Sequence, residues 1–352
     1  MIVALLALQL GSLVAPAYAC GCGAMVSDRD QRIGVDRETS AVRWDGRTEE
    51  IVMRFTVRGN AERAAWIMPV PSRAEVALGD GALFDELERL TRPEYRDRSY
   101  FWPRGDDWPF ADRDMDGAGA APPSASATDV GVVGRERLGP FDVARLTATD
   151  PKALSGWLEQ NGFELSDRLA TELKPYVEKE WEYVAVRLAP DAEGTVLRGE
   201  LDPLKIRFTS DTLVYPMRLS RLAKTPQSLG LYVLADHRME PRGTIGGARP
   251  EVRFAGPIAP EGAVAGLTGG TDRVYLTALD QKFPEPSRID GDHELRTVSD
   301  TPYREIVYTD RLLTVGAVPV WLLTVSGVLV AGVAATVAVR VRRQRAGVRS
   351  AV

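Results

Sequence analysis

Cysteine is almost absent from this chain: 352 residues hold two, Cys20 and Cys22, separated by a single glycine. Everything from Gly23 onward therefore lacks disulfides and thiol nucleophiles, and its stability has to come from burial. Histidine is equally scarce. His237 and His293 each follow an aspartate directly, and four Cys, His or carboxylate ligands at zinc spacings do not occur. There is no Gly-x-Ser-x-Gly elbow for a serine nucleophile. Excess basic charge is missing as well. The tail holds Arg340, Arg342, Arg343, Arg345 and Arg349 and no acid; these are five of the 44 basic residues, and the rest of the chain, with all 49 acids, carries a net charge of −10. A surface of that sign does not seek nucleic acid.

What the chain does have is one long uncharged run, Leu312 to Val339. A helix of about 20 apolar residues rising 1.5 Å each spans the roughly 30 Å hydrocarbon core, so this run predicts a transmembrane helix. Pro319 suits its first turn, and Trp321 suits the outer interface. The arginine tail behind it predicts a cytoplasmic C-terminus by the positive-inside rule. The expected location is the cell membrane, single-pass and type I, with the ectodomain outside. A second apolar run, Ile2 to Val14, leads into Ala15-Pro16-Ala17-Tyr18-Ala19 and reads as a signal peptide cleaved after Ala19, although no basic residue precedes it.

The expected organisation is a signal peptide (1–19), a β-rich first part of the ectodomain (20–92), a linker or inserted loop (93–128), the main α+β part (129–311), the transmembrane helix (312–339) and the basic tail (340–352). Ser40 to Trp44 and Arg47 to Arg58 flank Asp45-Gly46, a hairpin signal of type I′, and Ile51, Met53, Phe55 and Val57 share one face. Ala64 to Met68 is a further strand. Asp80 caps a helix carrying Leu83, Phe84, Leu87 and Leu90. From Pro93 to Thr128 periodicity fails, as in a long loop. Asp150-Pro151 opens a helix closed by Asn161-Gly162, and a second helix from Ser166 is interrupted at Pro175. Tyr183 to Leu188 and Leu204 to Phe208 read as strands, followed by further candidates within 213–219, 229–234, 252–254, 274–278 and 305–308. Strands outnumber helices about three to one, which predicts an α+β ectodomain of mostly antiparallel sheet with a few short helices.

Several segments carry a resemblance. Cys20-Gly21-Cys22-Gly23, Ala64-Ala65-Trp66-Ile67-Met68-Pro69-Val70-Pro71, Val214-Tyr215-Pro216-Met217-Arg218-Leu219 and Leu231-Tyr232-Val233-Leu234-Ala235-Asp236-His237 stand in this order ahead of a basic-flanked C-terminal anchor. In these the chain resembles the bacterial family known as domain of unknown function 2330. The resemblance covers nearly the whole ectodomain and implies an exported, often membrane-anchored protein; it implies no activity.

Two clusters are candidate ion sites. Asp112, Asp114 and Asp116 with Gly117 match positions 1, 3, 5 and 6 of a calcium loop, but position 12 is Pro123 rather than the bidentate glutamate. The expectation is weak calcium binding set against a plain acidic loop. Cys20 and Cys22 are open to four readings: an internal disulfide, a soft-metal pair, lipidation of Cys20, or a link to another protein. No resident cofactor is expected. The functional expectation is an extracytoplasmic binding or scaffolding domain with an envelope protein as partner and no catalysis. The alternative is an envelope hydrolase using paired Asp/Glu carboxylates.

Overall fold

The computed structural model describes residues 18–20, 23–27, 31–108, 137–138, 141–146, 151–188 and 195–349. In chain order it forms β1 (Tyr18–Cys20), β2 (Gly23–Ser27), β3 (Ile33–Trp44), β4 (Thr48–Gly59), β5 (Ala64–Val70), β6 (Glu75–Leu78), α1 (Ala82–Leu90) and β7 (Glu94–Tyr100). After these come β8 (Arg137–Leu138), β9 (Phe141–Leu146), α2 (Pro151–Gln160), α3 (Asp167–Glu178), β10 (Glu182–Leu188), β11 (Gly199–Glu200), β12 (Leu204–Thr209) and β13 (Val214–Tyr215). The remainder comprises β14 (Gln227–Ala235), β15 (Met239–Pro241), β16 (Glu251–Ile258), α4 (Gly262–Thr268), β17 (Val274–Phe283), β18 (His293–Thr297), β19 (Tyr303–Arg304), β20 (Ile306–Leu312), β21 (Thr314–Val315), β22 (Val318–Pro319) and α5 (Val320–Arg349). The class is α+β with mostly antiparallel sheet.

The chain divides into two compact units. The larger comprises residues 1–93 and 132–305, the smaller 94–131 and 306–352. In the larger unit a six-stranded antiparallel sheet runs β1-β2-β5-β10-β9-β8. A second sheet runs β19-β16-β17-β14-β3-β4-β12-β6, with β11 added on β4 and one parallel pair, β14 with β3. Strands from both sides of 93–128 thus share sheets: β5 pairs with β10, and β3 with β14.

Alternation along the strands sets the layers. Ile51, Met53, Phe55 and Val57 of β4 point inward, as their spacing predicts. They pack with Trp66 and Met68 of β5 and with Val184 and Val186 of β10 in a core between the two sheets. The opposite face of the six-stranded sheet is covered by Leu154 and Leu158 of α2 and Leu169, Leu173 and Tyr176 of α3. The opposite face of the larger sheet, including Val52, lies under Leu83, Phe84 and Leu87 of α1 and Val264 and Leu267 of α4. The larger unit is therefore helix, sheet, sheet, helix in section.

The structure corrects three local expectations. The β3–β4 hairpin forms, but its turn is not type I′. Pairing closes at Trp44 with Glu49, and Gly46 (φ +95°) takes the left-handed region while Asp45 does not. Asp45 Oδ1 accepts from the backbone N–H of Arg47 (2.9 Å) and Thr48 (2.6 Å), closing the loop by an Asx-type contact. Helix α3 runs through Pro175 instead of stopping there, because burial of Leu173 and Tyr176 holds its last turn against the lost hydrogen bond. Pro319 pairs with Thr314 in a short hairpin, so the apolar helix starts at Val320.

The turn geometry gives a paired expectation. A Cβ on Gly46 or on Gly81 meets nothing within 4 Å, and Gly81 already has helical φ (−62°). Gly46→Ala should cost about 1–2 kcal/mol for the left-handed backbone alone, whereas Gly81→Ala should be neutral or gain up to about 1 kcal/mol. Thermal melting of the two variants checks this, and equal shifts would contradict the turn assignment.

In the smaller unit, β7 and β20 form a two-stranded parallel ribbon whose register pairs Arg98 with Asp310 and Ser99 with Arg311. Arg98 makes a two-pronged contact with Asp310 (2.6 and 3.0 Å), and Arg311 lies 3.2 Å from Asp97. This strand occupies part of the stretch that reads as patternless in sequence.

Candidate functional site

Three of the four segments that carry the family resemblance gather around one patch. β2, which begins at Gly23, pairs with β5 in the register Ala24–Ile67, Met25–Trp66 and Val26–Ala65. The 3-10 helix Arg218–Leu222 packs Leu219 and Leu222 into the same core cluster as Ala24, Val26, Ala65 and Ile67. That helix is pinned by Asp292, whose Oδ1 accepts from the Tyr176 hydroxyl (2.7 Å) and from the backbone N–H of Met217 (2.8 Å) and Arg218 (3.0 Å). Burial and the neighbouring Asp292 carboxylate push the Tyr176 hydroxyl pKa up, so it stays a donor.

An open cleft of about 300 Å³ lies beside this helix, lined by Asp167, Arg168, Thr171, Glu172, Arg221, Leu222 and Ser287. Glu172 receives two guanidinium groups, Arg218 Nε at 3.2 Å and Arg221 Nη1 at 3.4 Å. The walls therefore offer arginines and hydroxyls beside carboxylates, an arrangement suited to a polar or charged group rather than an apolar one.

A second polar cluster is sealed in the core. Glu38 and Ser40 of β3 point inward with Tyr215 of β13; all three are buried. The Tyr215 hydroxyl lies 2.6 Å from Ser40 Oγ and donates to Glu38 Oε1. Nearby on the chain, Glu49 is 0% exposed and accepts from the Val214 N–H at 3.2 Å, while its Oε1 has no partner among the described residues. Burial raises the Glu49 pKa well above the ordinary carboxylate range. His293 of β18, opposite Tyr215, is buried as well. Its Nε2 lies 2.8 Å from Gln281 Oε1, and burial pushes its pKa down to about 4. His237 is exposed and pairs with Asp300 (2.9 Å), whose hydrogen bond and charge raise its pKa, and not with its sequence neighbour Asp236.

Of the residues singled out from sequence, Cys20 ends β1 opposite Gly23. Cys22, Asp112, Asp114 and Asp116 lie outside the described residues. Among the described residues no group of three or more His, Cys, Asp or Glu is placed to hold a metal. Sequence reading gave no role to Glu38, Ser40, Glu49, Glu172, Asp292 or Arg221. The available signal was in the resemblance segment itself, because Tyr215 and Arg218 both belong to Val214–Leu219.

A family model described as an uncharacterized protein conserved in bacteria matches residues 16–296. The chain belongs to the DUF2330 family. The matched span holds the cleft and both polar clusters, and it ends before the β20 ribbon strand and helix α5. Among solved structures, this DUF2330 chain is similar to the crystal structure of baculovirus P35, at 10% identity and a TM-score of 0.32, covering 78% of this chain and 98% of that one. That level does not establish a common fold. A search of curated proteins finds no match.

Proposed function

We propose that this DUF2330 protein is a single-pass, membrane-anchored cell-envelope protein that holds a binding or scaffolding domain outside the cytoplasm. The observation that carries the reading is α5. Val320–Arg343 is long and apolar enough to cross a membrane, and its most apolar stretch is wholly unburied. A helix apolar on all sides and covered by nothing is unstable in water and stable in lipid. Arg340, Arg342, Arg343, Arg345 and Arg349 behind it favour a cytoplasmic tail. Binding is favoured over catalysis by the placement of the acids. Glu172 in the cleft is engaged by two arginines, and Glu49, the carboxyl whose pKa is raised as a general acid requires, is enclosed in the core.

Truncation tests the anchor. Protein ending at Arg311 should leave the membrane fraction and appear soluble outside the cytoplasm. A product that remains in the membrane would show a second anchor, such as a lipid on Cys20, and would overturn the single-anchor reading.

A further inference from the structure

The uncharged run 312–339 is longer than a bilayer requires, and the structure divides it. Val320 to Val339 is helical and uncharged, 20 residues or about 30 Å, enough for the hydrocarbon core alone. The preceding residues fold back as the β21–β22 hairpin, leaving Leu313, Val315 and Val318 exposed. Leu313 is tied to the end of β7 by its N–H donating to the Tyr100 carbonyl at 2.8 Å. Just beyond β7, Trp102 and Trp108 reach the first turn of α5, their rings 6.5 and 5.4 Å from that of Trp321. Trp321 is only 8% exposed beneath them, whereas Trp102 is 59% and Trp108 47% exposed.

Two large exposed indoles and three exposed aliphatic side chains thus lie close to the point where the apolar helix begins, as a collar. All belong to the same compact unit. In water this collar costs free energy in proportion to its apolar area. An indole has an apolar body and a polar N–H, and the headgroup layer of a bilayer satisfies both. Continuity with α5 fixes the occupant, since whatever surrounds the outer end of that helix also surrounds the collar.

We propose that Trp102 and Trp108, more than 200 residues upstream of the helix in sequence, lie in the headgroup layer of the outer leaflet and seat the smaller unit on the phospholipid surface. The proposal rests on α5 spanning the membrane. The test uses full-length protein reconstituted in phosphatidylcholine–phosphatidylglycerol vesicles, with nitroxide-labelled phosphatidylcholine as one quencher and aqueous iodide as the other. Flotation with the vesicles, resistant to alkaline wash, reports the span independently. The emission difference between wild type and Trp102→Phe/Trp108→Phe isolates the two rings, and iodide quenching of wild type alone gives a reading that needs no variant. The expected result is loss of that emission to a nitroxide near the headgroup, little loss to one at the chain end, and little loss to iodide. If the protein floats but the two rings are quenched by iodide and not by lipid, the collar faces water and the proposal fails. If they are shielded from both quenchers, protein covers them, and the proposal fails equally. If the protein does not float, the spanning reading itself is wrong.

Discussion

Gly23→Ala should destabilise the larger unit by roughly 3 kcal/mol or more, at or above the upper end of what overpacking normally costs. A Cβ at this position would lie 2.4 Å from the Ile67 carbonyl oxygen and 2.7 Å from Trp66 Nε1. The first of these atoms is backbone in the interior of a paired sheet. The second belongs to a fully buried indole whose N–H has no partner among the described residues. Neither yields cheaply, so β2 would have to move away from β5, taking Ala24, Met25 and Val26 out of two cores. The control is Gly34→Ala on β3, where the nearest atoms are 3.9 Å away in the flexible side chain of Arg58. Melting temperatures of the two variants should differ widely. Similar values would show that β2 does not pack on β5 as described. The result would also explain why a glycine follows Cys22, which no property of the cysteines requires.

Glu49→Gln should stabilise the protein near neutral pH, and the gain should vanish in acid. Below the ordinary carboxyl pKa of 4.5, Glu49 is protonated in both the folded and the unfolded chain. As pH rises past that value, the unfolded chain releases the proton while burial makes the folded chain keep it. Folding then loses about 1.4 kcal/mol for every pH unit until the folded group's own pKa is reached. Glutamine is neutral throughout and its carbonyl still accepts from the Val214 N–H. The stability gap between variant and wild type should therefore be smallest near pH 4.5 and widen as pH rises from there toward neutrality. Thermal melts of the full-length protein in detergent across that range supply the measurement. A gap independent of pH would contradict a protonated Glu49 in the core.

Regions where a single element settles its own burial were legible in the sequence. The β4 alternation at Ile51, Met53, Phe55 and Val57, the Leu83-Phe84-Leu87 face of α1, and the Asn161-Gly162 stop of α2 (Gly162 φ +83°) follow from period and turn chemistry. The start of β3 was not legible. Ile33 to Thr39 mixes glycine, charge and a register shift between Val35 and Arg37, and its inward Glu38 takes a hydrogen bond from Tyr215, far along the chain. β7 was illegible for a related reason: Glu94-Tyr95-Arg96-Asp97-Arg98 has no apolar period, and its Arg98 and Asp97 find partners in Asp310 and Arg311, more than 200 residues away in sequence. The cleft draws Asp167, Glu172, Arg221 and Ser287 from three separate segments. Its mixture of charges therefore leaves no local pattern, although the neighbouring Arg218 stood in a recognisable segment.

The central claim is that α5 carries the folded domain across from the cytoplasm, and a pair of reporter fusions tests it most directly. Alkaline phosphatase, active only outside the cytoplasm, is joined after Asp310 in one fusion and after Arg349 in the other. Activity at Asp310 with silence at Arg349 is the expected result. Activity at Arg349, or silence at Asp310 in a stably expressed fusion, would contradict the orientation and with it the placement of the domain outside.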